Sequence, residues 1–293
     1  MSSQSSDGRV LMPGRTAVVT GAASGIGRAM AERFAAEGMQ VVLADIEDLP
    51  LARAAEEVGA ATEVMHFVTD VSSRSSVDEL ADAVEERFGP VHVLCNNAGV
   101  AGGGGPLWET TEKDWDWVLG VNLLGVVHGI QAFVPRMLAH GEGGHVVNTS
   151  SVLGLSTGPG SIYSVTKHAV TRLSEGLWHD LQAINAPIGV SVLCPGLIAT
   201  QIVSAERNRP AHLRNAGPSD EGREALRRQA QARFLEQGMP PAQVADIVVE
   251  AVEEGRFYIL THPEMIKAQV QARMEAVLDG RRPAGTGRPA ERP

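Results

Sequence analysis

Basic side chains, cysteine and aromatics are all scarce in this chain. Lys and Arg number 25 against 35 Asp and Glu, a formal net charge of −10. That balance, with no basic stripe, gives little support to nucleic-acid binding. Aromatics make up only 4% of residues, and there are two cysteines, Cys95 and Cys194, each ending an apolar strand-like run. Such thiols read as reduced core residues of a cytoplasmic protein, with a disulfide disfavoured. The nine histidines are scattered without ligand spacing, so no metal site is expected. No apolar run looks long enough to span a bilayer, and the opening MSSQSSDGRV lacks a signal-peptide core. These shortages exclude membrane, metal and nucleic-acid roles as first readings. The 293 residues suffice for one α/β domain with a sizeable core.

What is present is alternation. Short apolar runs fall at 16–20, 40–44, 63–68, 91–95, 145–149, 188–194 and 256–260. Helix-like stretches lie at about 25–37, 48–58, 74–88, 111–138, 161–184, 220–236 and 241–254. Gly38 suits a helix C-terminus, and Thr110 or Thr111 an N-cap. VVLAD and VSVLC are apolar throughout, as in strands covered on both faces. The chain is therefore predicted to be a single α/β domain: a doubly wound parallel seven-stranded sheet with helices on both faces, its ligand crevice beyond the carboxyl ends of the strands.

Two local patterns carry chemistry. In Thr20-Gly21-Ala-Ala-Ser24-Gly25-Ile26-Gly27 an apolar strand runs through a glycine turn into a helix. Gly21 permits the turn, Gly25 and Gly27 let backbone approach a ligand, and the free helix N–H groups suit a pyrophosphate. The spacing is Gly-x-x-x-Gly-x-Gly and departs from the commoner Gly-x-Gly-x-x-Gly. Tyr163 and Lys167 stand four apart, hence on one helix face. An ammonium beside a phenol favours the phenolate, which makes a tyrosine usable as an acid or base near neutral pH. Polar and small residues also gather at the strand ends: Asp45, Asp70-Val71, Asn96-Asn97-Ala98-Gly99, Asn148-Thr149-Ser150-Ser151 and Pro195-Gly196-Leu197-Ile198. Turn chemistry alone accounts poorly for five such sets on one edge.

Taken together, TGAASGIG at 20–27, NNAG at 96–99, Asn122 in GVNLLG, Ser150-Ser151, YSVTK at 163–167 and PG at 195–196 resemble the short-chain dehydrogenase/reductase family, in its order and near its spacing, over roughly residues 14–260. The resemblance implies a Rossmann-like fold and an oxidoreductase interconverting a secondary alcohol and a ketone. It makes Tyr163 the acid/base, with Lys167 lowering its pKa and binding the nicotinamide ribose, and Asn122 supporting a proton relay. The family's spacing to Gly154 selects Ser151 as the substrate-holding serine. Counting back from Tyr163 selects Ser150, so Ser151 is assigned with a loop one residue shorter over 155–162. Ser150 is read as a strand-end hydroxyl bonded to backbone.

By the same resemblance Gly21, Ser24, Gly25, Ile26 and Gly27 cradle the cofactor and Asp45 holds the adenosine ribose, although Asp45 also suits a helix N-cap. Asp70 and Val71 flank the adenine, Asn97, Ala98 and Gly99 line the ribose, and Pro195, Gly196, Ile198 and Thr200 meet the nicotinamide side. A 2′-phosphate near the Asp45 carboxylate costs roughly 1–4 kcal/mol at ~4 Å. Ser24 stands where NADP-preferring relatives often carry a basic residue, so NAD is expected over NADP. The alternatives are an NADPH-dependent carbonyl reductase or a dinucleotide sensor without turnover.

Residues 199–240 are expected to form a substrate lid, and Arg207, Arg209 and Arg214 to lie on solvated faces in preference to meeting an acidic substrate. The loop 101–107 is read as a mobile wall. WDWVLGVNLLG and YILTHPEM resemble a subgroup with bulky aromatic alcohols, including bacterial Cα-dehydrogenases; Trp115, Trp117 and Trp178 are read as core or interface residues. Family resemblance also implies a homo-oligomer, a tetramer or dimer, through 111–138 and 161–184. The catalytic domain is placed at 14–262. A disordered tail is expected over 1–13 and a flexible one over 280–293, with a C-terminal helix at 263–279 whose Ile266, Val270, Met274 and Val277 form an apolar stripe.

Overall fold

Seven strands alternate with helices as the apolar periodicity requires. A computed structural model describes residues 9–102, 105–158, 161–215 and 221–283. Its strands are β1 (Thr16–Thr20), β2 (Gln40–Asp45), β3 (Val64–Val68), β4 (Val91–Asn96), β5 (Gly144–Thr149), β6 (Ile188–Cys194) and β7 (Tyr258–Leu260). Between and after them lie α1 (Gly25–Ala36), α2 (Asp48–Val58), α3 (Arg74–Phe88), α4 (Glu112–Leu119), α5 (Gly125–His140), α6 (Ile162–Ala183), α7 (Glu221–Gln237), α8 (Pro241–Glu253) and α9 (Pro263–Leu278). All pairings are parallel and the order is β3-β2-β1-β4-β5-β6-β7. The winding reverses between β1 and β4, so the chain leaves those neighbours in opposite directions and a crevice opens beyond their carboxyl ends.

Each face of the sheet has its own core. Met30 and Phe34 of α1, Leu51 of α2 and Val244 and Val248 of α8 cover one side. Val77 and Leu80 of α3, Phe133 and Met137 of α5 and Leu181 of α6 cover the other. The central strand β1 is buried at every position, whereas edge strand β3 is not. This is the seven-stranded Rossmann-like architecture expected from the sequence.

Several expectations need correction. The single helix at 111–138 is instead α4, one π-helical turn (Gly120–Leu124) and α5. The extra residue of that turn carries Asn122, whose side chain bonds the Val100 backbone. Of the two N-cap candidates it is Thr111 that caps α4, as the sequence allowed, in a reciprocal capping box with Asp114. The run Glu112–His140 is long and apolar enough to cross a membrane, with a stretch of mean hydropathy 1.6, contrary to the reading that no such run exists. Half of that stretch is buried inside the fold, as a core helix requires.

At the amino end Leu11 is buried in the core with Val10 against it, so the fold begins before residue 14; residues 1–8 of the expected tail lie outside the described residues. The stripe on α9 is only partly used. Ile266 is buried, but Met274 and Val277 are exposed. The later turns are oriented by Arg273, which donates to the Leu155 carbonyl at 3.0 Å and lies 2.7 Å from His168 Nε2. Of the expected C-terminal tail, residues 284–293 lie outside the described residues.

Candidate active site

A cavity of about 660 Å³ opens at the carboxyl ends of the strands, between the glycine turn and the lid. In the glycine turn Gly21 and Gly25 have φ of +68° and +57°, a conformation L side chains rarely adopt. Ser24 precedes α1 in extended backbone without a side-chain cap, and the first turn of α1 holds no acidic residue. Its N–H groups and the positive end of its dipole are thus left for a ligand in the cavity, which Gly21, Ser24, Gly25 and Ile26 line. Gly27 does not line it. A Cβ there would meet the Gly21 carbonyl oxygen at 2.2 Å, so Gly27 permits the turn to fold onto its own helix.

Thr20, which sequence reasoning passed over, ties this turn to the next strand. Its Oγ1 accepts from the Asn97 and Ala98 backbone at 2.9 and 3.1 Å, and Asn97 Nδ2 donates to the Thr20 carbonyl at 3.0 Å. Asp45 lines the cavity and is not an N-cap: Glu47 occupies that position of α2. The Asp45 carboxylate accepts from the Ala23 and Glu47 backbone at 3.0 and 3.1 Å. Burial pushes its pKa up, with these bonds pulling in the other direction. Asp70, Val71, Asn97, Ala98, Gly99, Pro195, Gly196, Ile198 and Thr200 all line the same cavity. The uncapped helix end, the glycine cradle and the Asp45 carboxylate fit the pyrophosphate and ribose of a dinucleotide.

The opposite floor is built by α6. Ser161 caps its N-terminus, placing Tyr163 and Lys167 in its first two turns. Lys167 is 2% exposed and its Nζ donates to the Thr149 carbonyl at 2.8 Å, 5.5 Å from the Tyr163 ring centre. Burial lowers the Lys167 pKa to about 8. The Tyr163 pKa is raised, not lowered: burial dominates, and the hydrogen bond with Ser151 only partly offsets it. The expected depression by Lys167 is overturned in this state, because desolvation outweighs an ammonium already bonded to a carbonyl.

The two serines separate cleanly. Ser150 Oγ donates to the Lys167 carbonyl and pairs with Thr171 Oγ1, both at 2.8 Å, against the space Gly154 leaves free. Both line the cavity, but it is Ser151 that bonds Tyr163. Residues 159–160 of the loop thought shorter lie outside the described residues. Asn122 is fully buried behind the wall, bonded to Val100 and to Thr166 Oγ1 at 3.2 Å. A Cβ on Gly99 would sit 3.5 Å from both Asn122 Oδ1 and Lys167 Nζ, so the two approach the same gap.

The lid comprises short 3₁₀ turns at Ile202–Asn208 and Ala211–Leu213, followed by α7; residues 216–220 lie outside the described residues. Gln231 of α7 anchors it by donating to the Thr200 carbonyl at 2.8 Å. Arg207 and Arg214 are exposed as expected, but Arg209 is not. Arg207 binds Glu47 through Nε at 2.9 Å and Nη2 at 2.7 Å. Arg209 is buried, 2.8 Å from Asp114 and 5.0 Å over the Trp117 ring. Burial opposes ionisation of Asp114, but hydrogen bonds from Thr111, Arg209 and Asn215 prevail and lower its pKa. Arg214 Nε donates to the Arg209 carbonyl at 3.3 Å.

Trp117 is buried in a small core, as its reading as a core or interface residue expected, and it also lines the cavity wall. Leu153, Ile202, Val203, Leu213 and Phe234 extend that wall. Trp115 donates to Thr110, and Trp178 stacks edge-on to Phe257 away from the cavity. In the loop 101–107, residues 103–104 lie outside the described residues, while Gly102 packs on Val118.

Contrary to the scattered histidine spacing, His92, His140 and Glu142 bring possible metal-ligand atoms within 4.8 Å of one another. Their nitrogens are already committed. His92 Nδ1 accepts from Thr16 N–H, leaving its Nε2 to donate to Glu142, and His140 Nδ1 accepts from Glu142 N–H while its Nε2 donates to the Val91 carbonyl. These bonds tie strand ends together and leave neither imidazole a free lone pair for an ion.

The short chain dehydrogenase family model matches residues 15–211. A CLA biosynthesis dehydrogenase/reductase of Lactiplantibacillus plantarum is 34% identical over 84% of this chain and 87% of its own. A C alpha-dehydrogenase of Sphingobium is 34% identical over 90% of this chain and 86% of its own. Among solved structures, a short-chain dehydrogenase/reductase from Burkholderia phymatum in complex with NAD is 46% identical, with a TM-score of 0.90 over 95% of this chain and 99% of that one. A more distant metagenomic oxidoreductase, 27% identical with a TM-score of 0.65 over 85% of this chain and 96% of that one, is in complex with NADP. With the family model spanning most of the chain and these relatives matching nearly its whole length, the protein belongs to the short-chain dehydrogenase/reductase family of oxidoreductases.

Proposed function

We propose that this oxidoreductase interconverts a secondary alcohol and a ketone with NAD, Tyr163 serving as acid/base. The observation that carries the reading is the convergence of Ser151, Tyr163 and Lys167 on the floor of the cavity whose other end is the glycine turn and Asp45. When bound, the nicotinamide supplies or accepts hydride. Tyr163 gives its hydroxyl proton to the substrate oxygen in reduction and takes one from the alcohol in oxidation. Ser151, already bonded to Tyr163, holds the same oxygen. Lys167 keeps an ammonium beside the phenol below pH about 8, a charge that opposes the burial that raises the Tyr163 pKa without overcoming it. We assign Asn122 and Lys167 to a water-borne proton relay, supported by their approach to one gap beside Gly99.

The wall of Trp117, Leu153, Ile202, Leu213 and Phe234 favours a bulky apolar or aromatic substrate, recognised by shape more than by charge. In solution the same reading places the protein in the cytoplasm as a homo-oligomer, tetrameric or dimeric. Exposed Leu124 and Leu138 on and beside α5, with Val165 and Trp178 on α6, provide the apolar surface for assembly.

The test is Tyr163→Phe. It should retain NADH binding and lose at least ~100-fold in turnover, the usual scale of general acid–base catalysis. Near wild-type turnover would refute the mechanism. Dinucleotide binding with no turnover on any alcohol or ketone by the unaltered protein would favour a sensor.

A further inference from the structure

We propose that Glu47 sets the choice between dinucleotides by occupying Arg207, the one guanidinium among the described residues lining the cavity. The inference rests on the cavity being a dinucleotide site and concerns which dinucleotide it accepts.

The cavity wall holds two cations, Lys167 and Arg207. Lys167 is committed to the Thr149 carbonyl at the catalytic end. Arg207 reaches the other end from the lid, where Glu47 lies two residues beyond Asp45 and donates its backbone N–H to that carboxylate. Each nitrogen of the Arg207 fork makes a bond: Nε and Nη2 grip the two Glu47 oxygens and Nη1 donates to the Ser204 carbonyl. The pair spans 160 residues of sequence and joins the lid to the β2–α2 turn.

A 2′-phosphate on the adenosine ribose, beside Asp45, would face the carboxylates of Asp45 and Glu47. Its natural partner is a guanidinium, whose planar fork matches phosphate oxygens as it matches a carboxylate. Glu47 therefore acts twice against it, by its own charge and by holding Arg207. NAD carries no such phosphate and leaves the pair intact. The side chains are 36% and 21% exposed, so Arg207 can exchange partners without opening a core. An exposed pair of this kind contributes little to stability, which leaves its position in the cleft as its main consequence.

The experiment is a fluorescence or calorimetric titration of NADH and NADPH against the full chain carrying no change, Glu47→Gln, Arg207→Gln, or both. The unaltered protein should prefer NADH. Glu47→Gln should tighten NADPH binding about tenfold with NADH changed less than about threefold, and adding Arg207→Gln should abolish most of that gain. A NADPH gain that survives the double substitution would reduce Glu47 to plain charge repulsion and overturn the gate. So would a Glu47→Gln protein whose NADPH-to-NADH ratio stays within about twofold of the unaltered one. Failure of the unaltered protein to bind either dinucleotide is a separate outcome: it overturns the cofactor reading itself and this proposal with it.

Discussion

The two ends of the cavity are held by different means. At the glycine turn, backbone is fixed at close range: Gly27 lies against the Gly21 carbonyl, and the Thr20 hydroxyl pins the Asn97 and Ala98 N–H groups. The lid is held by side chains instead, one partly exposed pair on the Asp45 side (Arg207–Glu47) and one buried cluster over the substrate end (Arg209, Asp114, Trp117). Its apolar support is a small satellite core of Val100, Trp117, Val118, Ile162 and Ala205, set apart from the two large cores on the sheet faces. Backbone contacts admit almost no adjustment, whereas paired side chains can part and re-form. The first end suits an invariant ligand part, and the second suits a wall that opens and varies with substrate.

The comparison breaks most visibly at Gly27. Gly27→Ala should cost about 3 kcal/mol or more and abolish NADH binding, since the new methyl meets a carbonyl oxygen with no room to yield. Thermal denaturation and a dinucleotide titration check both effects. A stable variant with unchanged affinity would show that the turn adjusts as freely as the lid.

Acid should act on the sheet before the lid. His145, buried in β5 and bonded to Ser191, has its pKa lowered to about 4 by burial. Its neutral form stabilises the fold, so that contribution is intact above an unfolded pKa near ~6.5 and is lost as pH falls towards 4, approaching about 3 kcal/mol. Asp114, whose pKa is lowered, stays ionised over the same range and keeps the lid pair. Urea denaturation from pH 7 to 4, with and without His145→Gln, measures the slope. An equal slope in the variant would move the cause elsewhere.

The smallest effect should come from the lid. Arg209→Ala removes the partner of a nearly buried carboxylate and the cation over Trp117, but Asp114 keeps its bonds to Thr111 and Asn215. A loss of about 2 kcal/mol is expected, confined to the lid. Limited proteolysis within 199–240 should accelerate while global denaturation shifts less. Uniform destabilisation would show that lid and sheet unfold as one.

The legible parts were those whose evidence is local. The strands β1 and β6 and the helices α2 and α3 fall on the apolar and helical runs as read, because period and capping act within a few residues. The glycine turn and the Tyr163–Lys167 pair were equally readable, being short-range spacings. Thr20 was missed because a threonine ending a strand has no local mark of the backbone groups it will bond from the neighbouring strand. Arg207 was read as solvated charge and Glu47 drew no reading, since partners 160 residues apart leave no periodic trace. The π turn at Asn122 was invisible for another reason: one extra residue in a helix hardly disturbs an apolar pattern.

By itself the sequence determined the alternating elements, the parallel sheet they force, and the residues gathered at its carboxyl edge, because hydrophobic period and backbone sterics are properties of neighbours in the chain. Only the tertiary structure decided that Ser151 and not Ser150 meets Tyr163, that burial raises the Tyr163 pKa, and that the lid arginines are held by Glu47 and Asp114. Desolvation and ion pairing depend on what the completed fold places alongside a side chain, which no local pattern encodes.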